Sequence, residues 1–263
     1  MERETKGDIP GGPQAAGGHS ERRVMELLLA DPAIRVTRLA KALGVSTVST
    51  RKVLNGLAAK GQIIRARGGA MPAFHPGILS RQQHNLEQKQ RIAAAAAKLV
   101  HDGDAIMIEA GTTTALVAKY LLGRRDVHVV TNSALVLPHA RMSPALHLTV
   151  VGGEFRPSTE SFVGPVALEE LSRFHVRVAF VGTDGFSAEG GLTTHLVEGA
   201  EIVRKMAAQA DRCVLVADST KWGRRGFVQV LPLKGVHAVV SDRGLARDAV
   251  RKLEKAKIQV TLV

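Results

Sequence analysis

The chain has 263 residues, a formal net charge of +12, 45% hydrophobic residues and a single cysteine. That length supports one large domain or two unequal ones, and the composition is globular rather than fibrous or low-complexity. No apolar run approaches the roughly 20 residues of a membrane helix, and MERETKGDIP lacks the apolar stretch of a signal peptide. A lone thiol, Cys213, cannot form an internal disulfide. A cytoplasmic protein with no membrane partner is therefore expected. The ten histidines show no metal-ligand spacing, so no metal is expected; no cofactor or catalytic residue is expected either.

Residues 1–20, rich in Gly and Pro (IPGGPQAAGGHS), read as a disordered arm. The stretch ERRVMELLLA then places Val24, Leu27 and Leu28 at helical spacing, and Asp31-Pro32 ends that helix. Thr37 caps a second short helix, RLAKAL, closed at Gly44, and Ser46 caps a third that runs to Gly61. Val53, Leu54, Leu57 and Ala58 are the inward face of the third helix. QIIRARGG follows as a small β-wing. Three helices and a wing, with the tight LGVS turn between the second and third, predict a winged helix-turn-helix over residues 21–71.

Charge supports the same reading. Between Ala33 and Leu86 there is no Asp or Glu, whereas Arg35, Arg38, Lys41, Arg51, Lys52, Lys60, Arg65, Arg67 and Arg81 all fall there. Such a block suits a polyanion. The expected contacts to double-stranded DNA are Thr37, Ser46, Thr47, Ser49, Thr50, Arg51 and Lys52 from the helices, with Arg65 and Arg67 on the wing. A reader of this type binds paired half-sites, so a homo-oligomer, dimer or tetramer, is expected.

The segment VSTVSTRKVLNGLAAKGQIIRARGGA resembles the DNA-binding segment of the DeoR family of bacterial sugar-responsive regulators. It carries that family's Val45, Ser46, Arg51, Lys52, Leu54, Gly61, Arg65, Gly68 and Gly69. It departs at Thr50 and Val53, where the family usually has Ile and Asp. Gly56 inside the helix also costs about 1 kcal/mol relative to Ala.

Residues 72–86 (PAFHPGILSRQQHNL), with two Pro and little periodicity, read as a linker. From residue 87 to 263, apolar runs alternate with helical patterns. AIMIEA, VHVVTN, LHLTVVGG, VRVAFVGT, RCVLVAD, VHAVVSD and IQVTLV are candidate strands. TTALVAKYLL, GPVALEELSRF, VEGAEIVRKMAAQA and LARDAVRKLEKA lie between them. The fold class expected is α/β: a winged helix-turn-helix followed by a larger Rossmann-like domain with a largely parallel sheet.

Polar motifs stand at the strand ends, where open α/β sheets bind ligands. Glu109, Gly111 and Thr112–Thr114 follow the first strand, and Asn132 follows the second. Gly152 and Gly153, then Asp184 and Gly185, then Lys221 follow later ones. Hydroxyls and backbone N–H groups of the GTTT loop, at the start of a helix, suit a phosphate. Lys221 adds positive charge, and Glu109, Asp184 and Asn132 suit sugar hydroxyls. A phosphorylated sugar is the expected effector.

The resemblance extends here. The family's effector domain carries an acid-x-Gly-Thr-Thr-Thr loop, Thr-Asn-Ser, Gly-Gly, Gly-x-Asp-Gly and Asp-x-(Ser/Thr)-Lys in this order. All five occur, with Glu109 where Asp is more usual. That domain is similar to ribose-5-phosphate isomerase, which implies a sugar-phosphate site. The resemblance implies a repressor of a sugar-catabolism operon, induced by a phosphorylated sugar. Two alternatives remain open. One is an isomerase-like enzyme using Glu109, Asp184, Glu198 or Glu201 as base. The other is a narrower, amino-sugar-phosphate-responsive regulator, suggested by GLTTHLVEGAEIVRKM. Trp222 stacks on a sugar or anchors its loop.

Overall fold

The structure, a computed structural model, describes residues 13–31 and 33–263 and divides into two units, 1–79 and 80–263. In the first unit α1 (Pro13–Ala30), α2 (Val36–Leu43) and α3 (Thr47–Ala59) precede a hairpin of β1 (Ile63–Ala66) and β2 (Gly69–Pro72). This is the expected winged helix-turn-helix. Val24, Leu28, Leu39, Leu54, Leu57 and Ile63 form its core. Gly44 closes α2 with φ 66°, its N–H returning to the Ala40 and Lys41 carbonyls, the left-handed helix stop that glycine favours. Ser46 caps α3, accepting a bond from the Ser49 N–H at 3.0 Å.

Three expectations need correction in this part of the chain. The arm expected over 1–20 falls outside the described residues up to position 12, and from Pro13 the chain is helical. Proline is tolerated in a helix's first turn, and the amphipathic segment beyond it extends the helix backward. Thr37 is not a cap. Arg35 occupies that position, in a bridge to Gly69, and the Val36 N–H donates to the Gly68 carbonyl. The wing's base therefore sets where α2 begins. The stretch expected as a linker contains α4 (Pro76–Gln83). Proline again sits at the helix start, and Ile78 and Leu79 are buried; two apolar residues are too few to show a period in the sequence.

The second unit begins with α5 (Leu86–Ala97), then β3 (Ala105–Ile108), α6 (Ala115–Lys119), β4 (Val127–Thr131), α7 (Leu137–Ala140) and β5 (Leu146–Val150). A hairpin of β6 (Glu154–Arg156) and β7 (Ser161–Val163) leads to α8 (Pro165–Leu171), β8 (Val176–Val181), β9 (Gly185–Ser187), β10 (Gly191–Thr194) and α9 (Val197–Ala208). The chain ends with β11 (Ala210–Val216), β12 (Val228–Leu231), β13 (Ala238–Ser241), α10 (Arg247–Lys255) and β14 (Gln259–Leu262).

Seven strands, each from one of the expected apolar runs, form a parallel sheet in the order β14-β13-β11-β8-β3-β4-β5. Strands β8 and β13 are buried almost throughout, and β11 is buried from Cys213 onward, as parallel strands covered on both faces must be. The edge strands β5 and β14 alternate in exposure. From β3 the sheet grows through β4 to β5 on one side, and from β8 through β11 on the other. The direction of winding reverses between β3 and β8, which opens a crevice at their carboxyl ends. In α5, Ala93, Ala96 and Ala97 are fully buried or nearly so, so the alanine run is a close-packed face.

Candidate functional site

A cleft of about 460 Å³ lies in the second unit at that reversal, lined from the ends of β3, β4, β8 and β11 and from β6, β7 and β10. Glu109, Thr112, Thr113, Thr114, Asn132, Asp184 and Lys221 all line it. Glu109, just past β3, accepts a 3.0 Å bond from the Gly182 N–H just past β8, and so closes the crevice floor. Burial, with Asp184 nearby, pushes its carboxyl up to about 8. Asp184 accepts from the Thr194 hydroxyl at 2.8 Å and the His195 N–H at 3.0 Å.

Several expected residues have structural roles. Asn132 is 2% exposed, its Oδ1 taken by the Ala110 N–H at 2.9 Å and its Nδ2 donating to the Phe162 carbonyl at 3.1 Å. It braces two walls. The Thr114 hydroxyl turns back to the Gly111 carbonyl at 3.0 Å. Gly111, Gly152, Gly153 and Gly185 do not line the cleft. At Gly153, with φ 131°, a Cβ would lie 2.6 Å from the Val163 carbonyl, and at Gly185 it would lie 2.3 Å from the Arg224 carbonyl. Those glycines permit close backbone approach. The helix after the GTTT loop is only five residues long, so its dipole adds little positive charge. Cationic side chains supply it: besides Lys221, the lining includes Arg81, Lys89 and Arg156. Trp222 packs edge-on against buried Phe186 at 5.1 Å and is a loop anchor. Cys213 is buried, its thiol pushed up to about 12 by desolvation, and is inert.

In the first unit, Arg51, Lys52, Arg65 and Arg67 are exposed and have no ion pair among the described residues. The unit's described acids are already matched, Glu21 with Lys60, Glu26 with Arg22 and Arg23, and Asp31 with Arg38. Thr37, Ser46 and Ser49 are exposed and Thr47 half-buried. Thr50 is not on this surface. It is 0% exposed and its hydroxyl donates to the Ser46 carbonyl at 2.9 Å, so it cannot reach a base edge. The buried face of α3 is Thr50, Leu54 and Leu57. The opposite stripe is Val48, Arg51, Lys52 and Asn55, all exposed.

Residues 84–243 match the DeoR C terminal sensor domain, and residues 22–73 match the DeoR-like helix-turn-helix domain. The chain belongs to the DeoR family. A putative aga operon transcriptional repressor of Escherichia coli O157:H7 is 30% identical over 260 residues, covering 96% of this chain and 97% of that one. The regulator GlpR of Haloferax volcanii is 33% identical, covering 91% and 95%, and the repressor GlcR of Bacillus subtilis 32%, covering 84% and 86%. Ribose 5-phosphate isomerase A from Methanocaldococcus jannaschii superposes with a TM-score of 0.40 at 22% identity, over 52% of this chain and 55% of that one.

This DeoR-family transcriptional regulator carries site residues that sequence reasoning missed. Lys89 is 4% exposed, sits in α5 and donates from Nζ to the Arg81 carbonyl. Burial pulls its ammonium down to about 8, against the pull of nearby Asp218. Arg156 pairs with Glu198 at 2.8 Å, while Glu201 is exposed and outside the cleft. On the reading helix, Val48 (72% exposed) and Asn55 were missed. The i, i+3, i+4, i+7 spacing of Val48 with Arg51, Lys52 and Asn55 is the signal that exposes them.

A cluster that linear spacing hides joins Asp126, just before β4, with His128 and His147 on the neighbouring strands β4 and β5. Their imidazoles stack at 4.6 Å with planes 17° apart, so their in-plane lone pairs run side by side rather than converge on one ion. Among the described residues no helix is long and apolar enough to cross a membrane.

Glu109 gives a stability test. Between about pH 4.5 and 8 the folded chain keeps a proton that the unfolded chain releases. Stability therefore falls as pH rises through that window and is flat above it as far as this group is concerned. Glu109→Gln is expected to leave stability nearly unchanged at pH 5 and to raise it at pH 8, by an amount on the order of a few kcal/mol at most. Thermal unfolding at the two pH values checks it; an equal shift at both would show that Glu109 ionises normally.

Proposed function

We propose that this regulator is a repressor of a sugar-catabolism operon, binding double-stranded operator DNA as a homo-oligomer, dimer or tetramer, and released by a phosphorylated sugar. It acts in the cytoplasm and is not an enzyme. The observation that carries this reading is the combination of cationic groups with acids and hydroxyls in one cleft. Arg81, Lys89, Arg156 and Lys221 supply cations for a phosphate, and Glu109, Asp184 and the hydroxyls of Thr112 and Thr113 supply partners for a polyol. The unmatched cations of α3 and the wing supply the phosphate contacts of a DNA reader. Two of the relatives are named as repressors, which supports the regulatory reading.

The test is fluorescence anisotropy on labelled DNA from upstream of this protein's own gene, at fixed salt. The titrants are ribose 5-phosphate, fructose 6-phosphate and glucosamine 6-phosphate. Release by one of them is expected; release by glucosamine 6-phosphate selects the amino-sugar subtype. Binding that none of the three alters would sink the effector reading. The enzyme alternative draws on the raised Glu109 carboxyl, a property general acids need. Interconversion of ribose 5-phosphate by the purified chain would establish it in place of sensing.

A further inference from the structure

The segment joining α4 to α5 is tied to two walls of the cleft. The Arg81 guanidinium donates to the Ser158 carbonyl at 2.5 Å, on the turn between β6 and β7. Asn85 donates from Nδ2 to Asp218 Oδ1 at 3.2 Å, at the end of β11. Asn85 itself holds a left-handed conformation, φ 53° and ψ 38°, and caps α5, an uncommon state for any residue but glycine. Its carbonyl accepts the Lys89 N–H at 3.0 Å, but its side chain makes no cap bond to the helix. Its carboxamide is spent on Asp218 instead.

Asp218 is 2% exposed and lines the cleft beside Lys221. Its Oδ1 is shared: the Thr220 N–H at 3.1 Å and the Thr220 hydroxyl also donate to it. A crowded acceptor at the cleft wall is where an incoming sugar hydroxyl or a shifted Lys221 competes most directly. The donor from outside its own turn, Asn85, is the one released at least local cost. A few residues earlier the same stretch is α4, where Leu79 belongs to the first unit's core.

We infer that Asn85 is the positioning residue of this regulator: through its bond to Asp218 it transmits occupancy of the effector cleft to the α4–α5 junction, and so to the DNA-reading unit. The inference rests on the reading of the cleft as a sugar-phosphate site. On this inference the chain has a state with the bond and a state without it, and an effector that prefers the state without it shifts the balance between the two.

Asn85→Gly is the clean test, because glycine accepts φ 53° without strain and only the carboxamide is removed. Calorimetry on the full chain gives affinity for ribose 5-phosphate, fructose 6-phosphate and glucosamine 6-phosphate. Anisotropy gives operator affinity with and without each. The unaltered chain should show a release ratio within the common allosteric range of about 5–150. Asn85→Gly should keep sugar-phosphate affinity within about threefold while its release ratio falls to about 2 or less. Asn85→Asp, which sets a second carboxylate against Asp218, should weaken operator binding even without ligand.

An unchanged release ratio in Asn85→Gly overturns the inference. Loss of sugar-phosphate binding in that variant overturns it too, since Asn85 would then belong to the binding site itself. Failure of the unaltered chain to bind any of the three is visible in the calorimetry before a variant is compared; it removes the reading of the cleft, and this inference with it.

Discussion

Replacing Arg51 and Lys52 together with Ala is expected to lower operator affinity by on the order of 100-fold, from roughly 1–3 kcal/mol for each charge-assisted interaction removed. The fold should stay intact. Both side chains are exposed and without ion pairs among the described residues, and such surface changes usually move stability by less than about 0.5 kcal/mol. If both residues hold phosphates, the slope of log affinity against log salt falls by about 0.9 for each. If one of them reads a base, the slope falls by less and the loss concentrates on one operator position. Thr50→Val is the contrast. Thr50 lies on the buried face, so its replacement should alter stability and leave operator affinity within about twofold. Unchanged affinity in the double variant would remove α3 from the DNA interface.

The difference between Thr50 and Arg51 shows where the sequence was legible. Small polar residues at the start of a reading helix look alike in the chain, but the helix turns about 100° per residue, and Leu54 and Leu57 fix which side is inward. Carrying that stripe back one turn places Thr50 inside, where the family usually has Ile, and brings Val48 outside. The seven parallel strands were readable because strands buried on both faces are continuous apolar runs. The hairpins that wall the cleft were not. β6, β7 and β9 have three residues each, too few to show a two-residue period, and the glycines in or beside them read as loop. The glycines at 153 and 185 looked like ligand loops for a related reason: a phosphate and a neighbouring stretch of backbone make the same demand for a missing Cβ. Lys89 was hidden differently. It stands in LEQKQRIAAAAAKLV, an amphipathic helix in which a lysine reads as solvent-facing, and only the packing of α5 against the sheet turns it inward.

Lys89→Met should abolish most of the effector response, lowering sugar-phosphate affinity by on the order of 100-fold. Its ammonium lines the cleft, is almost wholly buried, and among the described residues has one hydrogen bond, to the Arg81 carbonyl. Two of its three N–H donors are therefore available to an anion. Burial of that charge is unfavourable, which is why its pKa falls to about 8; a phosphate beside it would restore the charged form. Binding thus takes up a proton above pH 8, and sugar-phosphate affinity of the unaltered chain should fall by up to about tenfold per pH unit there. Below pH 6 it should fall again, as the phosphate, with a second pKa near about 6, loses its second charge. The variant should keep the acid limb, which belongs to the ligand, and lose the alkaline limb, which belongs to Lys89. Stability separates this from misfolding. A lysine whose folded pKa lies below its unfolded value costs most below pH 8, and that cost is relieved as pH rises from about 8 to 10.4. Methionine of similar length removes it, so the variant should melt at or above the temperature of the unaltered chain at pH 7. An alkaline limb that persists in Lys89→Met would assign the titrating cation to another residue of the cleft, with Lys221 the first to examine.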